Sequence, residues 1–217
     1  MSPKTFTLSD ELHRYVVAHG SEPDDIARDL IAETRAALPD EAGMQIAPEQ
    51  AAFLTLLTRL VGVRTAVEVG TFTGFSSLAI ARGLADGGRL ICFDISEEYT
   101  RVARRYWERA GVADRVELRL GPAAERLREL PADPVVDLAF VDADKEGYPT
   151  YWAELVPRMR PGGVIVVDNV LRGGRVLDPQ SAADRAIVDF NTLVAGDDRV
   201  EAVLLPVADG ITVARRR

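Results

Sequence analysis

Residues 65–74 read Thr65-Ala-Val-Glu-Val-Gly-Thr-Phe-Thr-Gly74, and the type of fold can be inferred from this segment. Its short apolar run, bounded by turn residues, is typical of a buried strand. Gly70 and Gly74 allow the backbone to turn sharply and to approach another group closely. Helical spacing follows over about 74–85. The stretch therefore predicts one strand, a glycine turn and one helix, which is the repeating unit of an α/β protein.

The same order repeats through the rest of the chain. Further strands are predicted at Leu90–Phe93, Val116–Leu120, Val136–Val141, Val164–Val167, Glu201–Pro206 and Ile211–Ala214. Helices are predicted between them over about 97–110, 123–130, 148–158 and 181–195. The short connection at Ala208-Asp-Gly210 is typical of a hairpin and adds an antiparallel strand. Residues 63–217 therefore predict a mostly parallel sheet with helices on both faces.

The first 62 residues have a helical pattern. Ser9 can cap a helix that runs to about Ala18, and a second helix is expected from about Glu22 to Leu38. Pro48 suits the first turn of a third helix, which Gly62 ends. We expect these extra N-terminal helices to cover the active edge of the sheet or a dimer interface, within a single domain of 217 residues.

The amino-acid composition disfavours nucleic-acid-binding, disulfide-bonded and membrane proteins. The formal net charge of −8 disfavours sequence-independent binding to nucleic acid, which requires neutralisation of phosphates. The single cysteine, Cys92, excludes an intrachain disulfide and lies in an apolar run typical of a buried strand. Neither a signal peptide nor a stretch of transmembrane length is evident. We expect a cytoplasmic protein without membrane partners.

The end of the first strand indicates the type of ligand. Glu68 stands where a dinucleotide-binding fingerprint would have its first glycine. A carboxylate there would repel a pyrophosphate and would suit a cationic ligand such as S-adenosylmethionine, which carries an ammonium and a sulfonium. Asp94 ends the second strand, where an acidic side chain can accept hydrogen bonds from ribose hydroxyls. Ser76 could contact the same ligand or simply begin a helix.

Polar side chains also follow the fourth and fifth strands. Asp142 ends the fourth strand, and Asp168 and Asn169 end the fifth. Neighbouring parallel strands would bring these oxygen ligands together, which suits Mg²⁺, with Mn²⁺ or Ca²⁺ as substitutes. Lys145 lies three residues beyond Asp142, in a chain with only two lysines among 26 basic residues. A lysine beside a cation can give up its proton and act as a general base, whereas an arginine stays protonated.

The segment Val67–Ser77 resembles motif I of class I S-adenosylmethionine-dependent methyltransferases. More narrowly, residues 40–217 resemble the cation-dependent O-methyltransferases, which include catechol and caffeoyl-coenzyme A O-methyltransferases. The resemblance implies a Rossmann-like, seven-stranded sheet and homodimers. It also implies catalysis by Lys145 and metal ligation by Asp142, Asp168 and Asn169. It implies cofactor contacts from Met44, Ile46, Glu68, Gly70, Ser76, Asp94, Ala123 and Asp142. The turn that contains Ala123 departs from the commoner family versions.

The resemblance implies methyl transfer to a metal-coordinated hydroxyl of a small catechol-type or related vicinal-hydroxyl acceptor. Tyr148 and Arg172 are predicted on the rim of the acceptor site, although Tyr148 also belongs to an aromatic helix face that suits the core. Many bacterial relatives look aromatic at the position of Arg172, so the arginine favours an acidic acceptor. Two alternatives stay open: methylation of a modified tRNA nucleoside, with Arg175 and the C-terminal arginines as a patch, and a non-catalytic nucleoside-binding regulatory domain.

Overall fold

The computed structural model describes residues 9–217 and contains one seven-stranded sheet. Its strands are β1 Thr65–Val69, β2 Arg89–Asp94, β3 Val116–Leu120, β4 Val136–Val141, β5 Met159–Val167, β6 Val200–Leu205 and β7 Ile211–Arg216. Their order across the sheet is β3-β2-β1-β4-β5-β7-β6. Strands β1 to β5 pair in parallel, and β7 runs antiparallel to both of its neighbours. The predicted Rossmann-like sheet with a C-terminal hairpin is confirmed.

The helices are α1 Asp10–Ala18, α2 Asp25–Ala37, α3 Pro48–Val61, α4 Phe75–Gly83, α5 Glu97–Arg109, α6 Ala123–Arg128, α7 Tyr148–Arg158 and α8 Ala182–Ala195. Ser9 caps α1, as predicted, and accepts a hydrogen bond from the Leu12 amide. Helix α2 begins later than predicted because Pro23 disfavours a helical conformation at the residue before it. Asp24 then caps α2 by accepting from the Ala27 amide.

Strand β5 begins at Met159 rather than at the predicted Val164. Its first half contains Pro161, Gly162 and Gly163, which are weak strand formers and hid this part of the strand from a pattern-based prediction. The register with β4 also shifts between Val136 and Leu138. The irregularity lies at the start of β5, so the opposite end of the sheet keeps its regular pairing.

The carboxyl ends of β1, β4 and β5 are in register. Val69 pairs with Val141, and Val141 pairs with Val167. The ladder continues one residue further, because the Asp142 amide donates to the Val69 carbonyl (2.8 Å) and the Asp168 amide donates to the Val141 carbonyl (3.0 Å). The polar residues that follow these strands therefore start from the same edge of the sheet.

Both faces of the sheet are covered by helices, so the central strands are buried. One core cluster includes side chains of α3, α4 and α5, and the other includes side chains of α6, α7 and α8. The side chains of β1 alternate between the two clusters, with Ala66 in the first and Val67 in the second. Cys92 is fully buried, as predicted. Among residues 9–217, every helix is too short or too polar to cross a lipid bilayer.

Helix α2 is attached to the sheet domain by packing and by ion pairs. Leu30 is fully buried, and burial of such a side chain contributes about 1.5–3 kcal/mol. The ion pairs Asp24–Arg82 and Asp29–Arg109 are both 2.6 Å long and partly exposed, so each contributes only about 0–1 kcal/mol. Apolar burial therefore does most to hold α2 in place.

Candidate functional site

Residues 70–74, which we call the β1 turn, pack directly against the end of β4. Gly70 has φ = 91°, and a Cβ atom at this position would lie 2.0 Å from the Asp142 carbonyl oxygen. Only glycine fits this contact without displacement of the backbone. Gly74 has φ = 90°, and a Cβ there would lie 2.5 Å from the Ala103 Cβ. The two glycines thus let the β1 turn approach β4 on one side and α5 on the other.

Asp94 stabilises the β1 turn by accepting hydrogen bonds from its backbone. Its Oδ2 accepts hydrogen bonds from the Thr71 amide (2.9 Å) and the Phe72 amide (2.8 Å), and its Oδ1 accepts from the Ser96 amide (2.7 Å). Phe72 has φ = 50°, an uncommon conformation that these bonds help to hold. The sequence interpretation expected ribose contacts and missed this role. A carboxylate has further lone pairs, so a ribose could still bind to the same side chain.

Glu68 is fully buried in β1, on the strand that leads into the β1 turn. Neither of its carboxylate oxygens has a hydrogen-bond partner among residues 9–217. Burial raises the pKa of Glu68 to about 7, and the Ser76 hydroxyl, the Cys92 thiol and the Thr71 hydroxyl oppose this rise. These three groups lie near the carboxylate, but none of them has the geometry of a hydrogen bond to it. A buried carboxylate without a partner is costly. These unpaired oxygens therefore fit a ligand that brings a positive charge into the site.

Residues 43–47 form a loop, the 43–47 loop, that is tied to the β1 turn. The Gln45 Nε2 donates to the hydroxyls of Thr34 and Thr73, both at 3.2 Å, and the Thr34 hydroxyl donates to that of Thr73 (2.9 Å). Met44 is about half exposed, whereas Ile46 is buried. Nothing in the helical pattern of α2 indicated that Thr34 would contact this loop. The bonds bring the two predicted cofactor residues of the loop close to the β1 turn.

Ala123 begins α6 directly after Pro122 and is buried. The preceding Gly121 amide donates to the Asp94 carbonyl (2.9 Å). Ala123 therefore lies two residues after Gly121, which hydrogen-bonds to the end of β2. The predicted cofactor residues from β1, β2 and the start of α6 all lie at the same edge of the sheet.

Four side chains form the group that we call the carboxylate cluster: Asp142, Lys145, Tyr148 and Asp168. The Lys145 Nζ donates to Asp142 Oδ1 (2.9 Å) and to the Tyr148 Oη (2.8 Å). The Tyr148 Oη in turn donates to the Asp168 backbone carbonyl (3.0 Å). A 3₁₀ turn from Lys145 to Gly147 leads into α7 and sets this spacing. The lysine is therefore fixed between the ends of β4 and β5.

Burial and negative charge dominate the electrostatics of the carboxylate cluster. Burial raises the pKa of Asp168 to about 6, and the neighbouring charge of Asp142 adds to the rise. Burial and the same carboxylates raise the pKa of Tyr148 well above its usual value, so its phenol keeps its proton. The Asn169 amide donates to Asp168 Oδ1 (2.7 Å), and Asn169 has φ = 56°, a conformation that asparagine tolerates better than most residues.

The donor set at the carboxylate cluster fits a hard divalent cation. Asp142 and Asp168 supply two carboxylates, and a cation would relieve the repulsion between them. The side-chain amide oxygen of Asn169 is a third oxygen ligand. Residues 9–217 contain no group of three or more His, Cys, Asp or Glu side chains arranged to hold a metal. A cation here would therefore depend on Asn169 and on oxygens from water or the acceptor. Mg²⁺ commonly binds in this way, because it keeps several waters.

The structure corrects the predicted position of Tyr148. Its side chain is fully buried and contacts Phe190 edge-on, with ring centroids 5.4 Å apart. It therefore lies in the core and is not exposed on a rim, which agrees with the alternative that α7 turns its aromatic face to the core. Its hydroxyl nevertheless reaches both Lys145 and the end of β5.

Arg172 is held by α8. Its Nε donates to Asp184 Oδ1 (3.2 Å), and the Arg175 Nε donates to the same atom (3.1 Å). Ser181 and these two arginines keep the pKa of the Asp184 carboxyl well below its usual value. Both arginines use only Nε for these bonds. The terminal amino groups of Arg172 make no hydrogen bond within the described part of the chain.

Together, the sheet order, the glycine turn after β1 and the polar groups at the ends of β4 and β5 define a class I methyltransferase fold with a site at the carboxyl edge of the sheet. Residues 18–217 match the family model described as O-methyltransferase. The chain belongs to this family, and the predicted membership of the class I S-adenosylmethionine-dependent O-methyltransferases is confirmed.

Similar proteins agree with this assignment. The chain is 36% identical over 211 residues to a probable caffeoyl-CoA O-methyltransferase 2 of Dictyostelium discoideum, covering 94% of this chain and 91% of that protein. It is 40% identical over 229 residues to tricin synthase 2 of Oryza sativa subsp. japonica, covering 99% and 78%. The solved O-methyltransferase from Bacillus cereus in complex with SAH matches with a TM-score of 0.86 and 34% identity, covering 95% and 97%.

Proposed function

We propose that this O-methyltransferase uses a divalent cation to methylate one hydroxyl of a small aromatic acceptor that carries a vicinal hydroxyl pair. The observation that carries the proposal is the carboxylate cluster, in which the Lys145 Nζ lies 2.9 Å from Asp142 Oδ1 beside the end of β5. An all-oxygen cation site next to a lysine suits an acceptor hydroxyl that must lose its proton. The caffeoyl-CoA O-methyltransferase named among the similar proteins supports the acceptor class.

S-adenosylmethionine would lie along the β1 turn. The proposed contacts are Met44, Ile46, Glu68, Gly70, Ser76, Asp94, Ala123 and Asp142. The unpaired oxygens of Glu68 supply the negative charge that the ammonium or sulfonium of this ligand requires. Asp94 would keep the turn in place while its free lone pairs accept from the ribose. The solved relative in complex with SAH supports a ligand of this type.

Asp142, Asp168 and Asn169 would hold the cation. The chemistry that a bound Mg²⁺ would supply there is Lewis acidity, which lowers the pKa of an acceptor hydroxyl and stabilises its oxyanion. The carboxylate cluster keeps two of these ligands close together without it. Tyr148 supports the arrangement from below through its bond to the Asp168 carbonyl.

Lys145 would act as the general base. Once it has released a proton, its amine would accept the hydroxyl proton of the acceptor, and the acceptor oxygen would then attack the methyl carbon of S-adenosylmethionine. The new oxygen–carbon bond forms as the sulfur–carbon bond breaks, which releases S-adenosylhomocysteine. The proton stays on Lys145 until solvent removes it. Tyr148 keeps its own proton and orients the amine, so positioning is the main contribution of the surrounding residues.

Transfer of a labelled methyl group tests this proposal. Caffeoyl-CoA, caffeate and catechol would be compared with 4-hydroxycinnamate, which has a single hydroxyl, each with Mg²⁺ and with EDTA. We expect label on the three vicinal acceptors only, and its loss in EDTA with recovery in excess Mg²⁺. Equal labelling of 4-hydroxycinnamate would contradict the acceptor class, and undiminished transfer in EDTA would contradict the role of the cation.

The tRNA alternative gains no support from the arginines that suggested it. Arg215 and Arg217 both lie within 3.6 Å of the Glu201 carboxylate, and Arg172 and Arg175 share Asp184. These carboxylates offset much of the positive charge that phosphates would need. A non-catalytic nucleoside-binding domain would have no use for the carboxylate cluster. Undermodified tRNA should therefore accept no label in the same assay.

A further inference from the structure

Asn169, the proposed amide ligand of the cation, has an uncommon backbone conformation. Its φ of 56° lies in the left-handed region, which residues other than glycine seldom adopt. A conformation of this kind persists where the surrounding structure holds it. The groups that hold the backbone around Asn169 therefore help to determine where its side-chain oxygen lies.

The backbone on both sides of Asn169 is hydrogen-bonded to other elements. The Tyr148 Oη donates to the carbonyl that precedes Asn169 (3.0 Å). The Asn191 Nδ2, in α8, donates to the Val170 carbonyl that follows it (2.8 Å). The Val170 amide donates to the Gly210 carbonyl, in the turn between β6 and β7 (3.1 Å). The left-handed turn is therefore held from α7, from α8 and from the hairpin.

Helix α8 supports the turn on both of its sides with two consecutive residues. The Phe190 ring contacts the Tyr148 ring edge-on, with centroids 5.4 Å apart, and Tyr148 bonds to the carbonyl before Asn169. Asn191, the next residue of α8, bonds directly to the carbonyl after it. Packing thus supports one side, and a side-chain amide supports the other.

Asn191 is a polar residue on the face of α8 that packs into the core. Ile187 and Val194, about one turn before and after it, are both buried. The Asn191 Oδ1 is also buried and has no hydrogen-bond partner among residues 9–217, and an unpaired buried acceptor is destabilising. The Val170 carbonyl needs a donor, so the amide nitrogen is the end that faces it. An apolar side chain would suit this face better unless the bond from Nδ2 is needed.

We infer that Asn191 is a positioning residue for the cation site: its bond to the Val170 carbonyl keeps Asn169 in the left-handed turn that presents the amide oxygen to the metal. The inference rests on the proposed function, because it requires Asn169 to be a metal ligand. Groups that orient metal ligands commonly change metal affinity by about 10–100-fold when they are removed. Asn191 would act through the backbone, without touching the metal.

Mn²⁺ is a suitable probe, because its binding can be followed by electron paramagnetic resonance without any turnover. Mn²⁺ and S-adenosylhomocysteine would each be titrated into the full-length wild type, Asn191→Leu, Asn191→Ala and Thr192→Val. Leucine is close to asparagine in size and alanine is smaller, and both remove the donor. Thr192→Val is the matched control, because it removes the side-chain hydrogen bond of the next residue of α8, to the Val188 carbonyl (2.9 Å).

We expect both Asn191 variants to weaken Mn²⁺ binding by about 10-fold. The Kd for S-adenosylhomocysteine should stay within about 2-fold, because the contacts of Asn191 lie apart from the β1 turn. Thr192→Val should change neither affinity. Binding of S-adenosylhomocysteine also shows that a variant is folded, and if one Asn191 variant fails to bind it, the other decides. Wild-type Mn²⁺ affinity in a folded Asn191 variant would overturn the inference, as would equal weakening of both ligands.

The Mg²⁺ dependence of methyl transfer gives a second readout that a purely structural role would not move. Asn191→Leu keeps all three proposed ligands, so the Mg²⁺ concentration for half-maximal rate should rise by about 10-fold. The kcat at saturating Mg²⁺ should then return to within about 3-fold of the wild type. A lower kcat with an unchanged half-saturating concentration would contradict positioning of the metal ligand.

Asn169→Ala separates failure of this inference from failure of the proposed function. If Asn169→Ala binds Mn²⁺ more weakly than the wild type, the cation site stands and the Asn191 result alone decides the inference. If Asn169→Ala binds Mn²⁺ as tightly as the wild type, Asn169 is not a ligand, and both its proposed role and the inference are overturned.

Discussion

The strand that leads into the β1 turn and the carboxylate cluster both bury acidic side chains, but they stabilise them differently. Glu68 is fully buried and has no hydrogen-bond partner among residues 9–217. Asp142, by contrast, accepts from Lys145, which Tyr148 joins to the end of β5. Under the proposed function, the first region would gain its partner when a cationic ligand binds. The second keeps its geometry beforehand, so one region is built for affinity and the other for positioning.

The largest expected effect comes from breaking the carboxylate cluster at its lysine. Lys145→Arg keeps the positive charge beside Asp142 but removes a group that can accept a proton. We expect kcat to fall by about 10²–10⁴-fold, the usual contribution of a general base. The Kd for S-adenosylhomocysteine should stay within about 2-fold, because the β1 region is unchanged. Steady-state kinetics and calorimetry would measure the two effects.

Lys4→Arg controls for the loss of a lysine as such, because Lys4 is the only other lysine of the chain. It should leave kcat unchanged. If Lys145→Arg also kept wild-type kcat, the amine would not take the proton.

A smaller effect on ligand affinity is expected at Glu68, and two variants test it. Glu68→Gln removes the negative charge and should weaken S-adenosylmethionine binding by about 10–100-fold, since a hydrogen bond to a charged group contributes about 1.5–3 kcal/mol. A neighbouring conservative variant, Ser76→Ala, keeps the carboxylate and should weaken binding less. Equal affinities of the wild type and Glu68→Gln would show that the ligand does not use this charge.

The raised pKa of Glu68 also predicts that the stability of the ligand-free protein depends on pH. The pKa of Glu68 is about 7 in the folded protein and ordinarily 4.5. Between these values the folded state holds a proton that the unfolded state has lost, so the free energy of unfolding falls as pH rises from 4.5 to 7. The difference corresponds to about 3 kcal/mol at pH 8. Urea unfolding at pH 5.5 and 8 should show a smaller decrease in Glu68→Gln; an equal decrease would contradict the burial of an unpaired charge.

The smallest expected effect concerns the acceptor rim. Arg172→Trp should lower kcat/KM for caffeate, which carries a carboxylate, by about 2–5-fold more than for catechol, because a partly exposed ion pair contributes up to about 1 kcal/mol. Arg185→Trp, an exposed position on α8, is the control and should affect both acceptors alike. Equal losses on caffeate and catechol in Arg172→Trp would show that this arginine does not select acidic acceptors.

The sequence predicted the fold and the location of the polar groups because both depend on strand register. Val69, Val141 and Val167 end apolar runs, and parallel pairing brings the residues after them to one edge. The start of β5 escaped prediction because Pro161 and the two glycines after it do not look like a strand. Patterns of apolar residues carry no information about such local irregularities.

Side-chain partners could not be predicted in the same way. The sequence placed Tyr148 near the metal end but could not show that α7 turns its ring into the core. Asp94 was expected to face a ribose, and its bonds to the β1 turn depend on how closely that turn approaches β2.

Restoration of activity by Mg²⁺ tests whether Asp142, Asp168 and Asn169 hold a cation that methyl transfer requires. Protein treated with EDTA and freed of it would be assayed for methyl transfer to caffeate as Mg²⁺ is added back, with Asp168→Ala in parallel. We predict that the treated wild type is inactive, that its rate returns along a saturation curve, and that Asp168→Ala recovers little at the same Mg²⁺ concentrations. A full rate in the treated wild type before any Mg²⁺ is added would contradict the account.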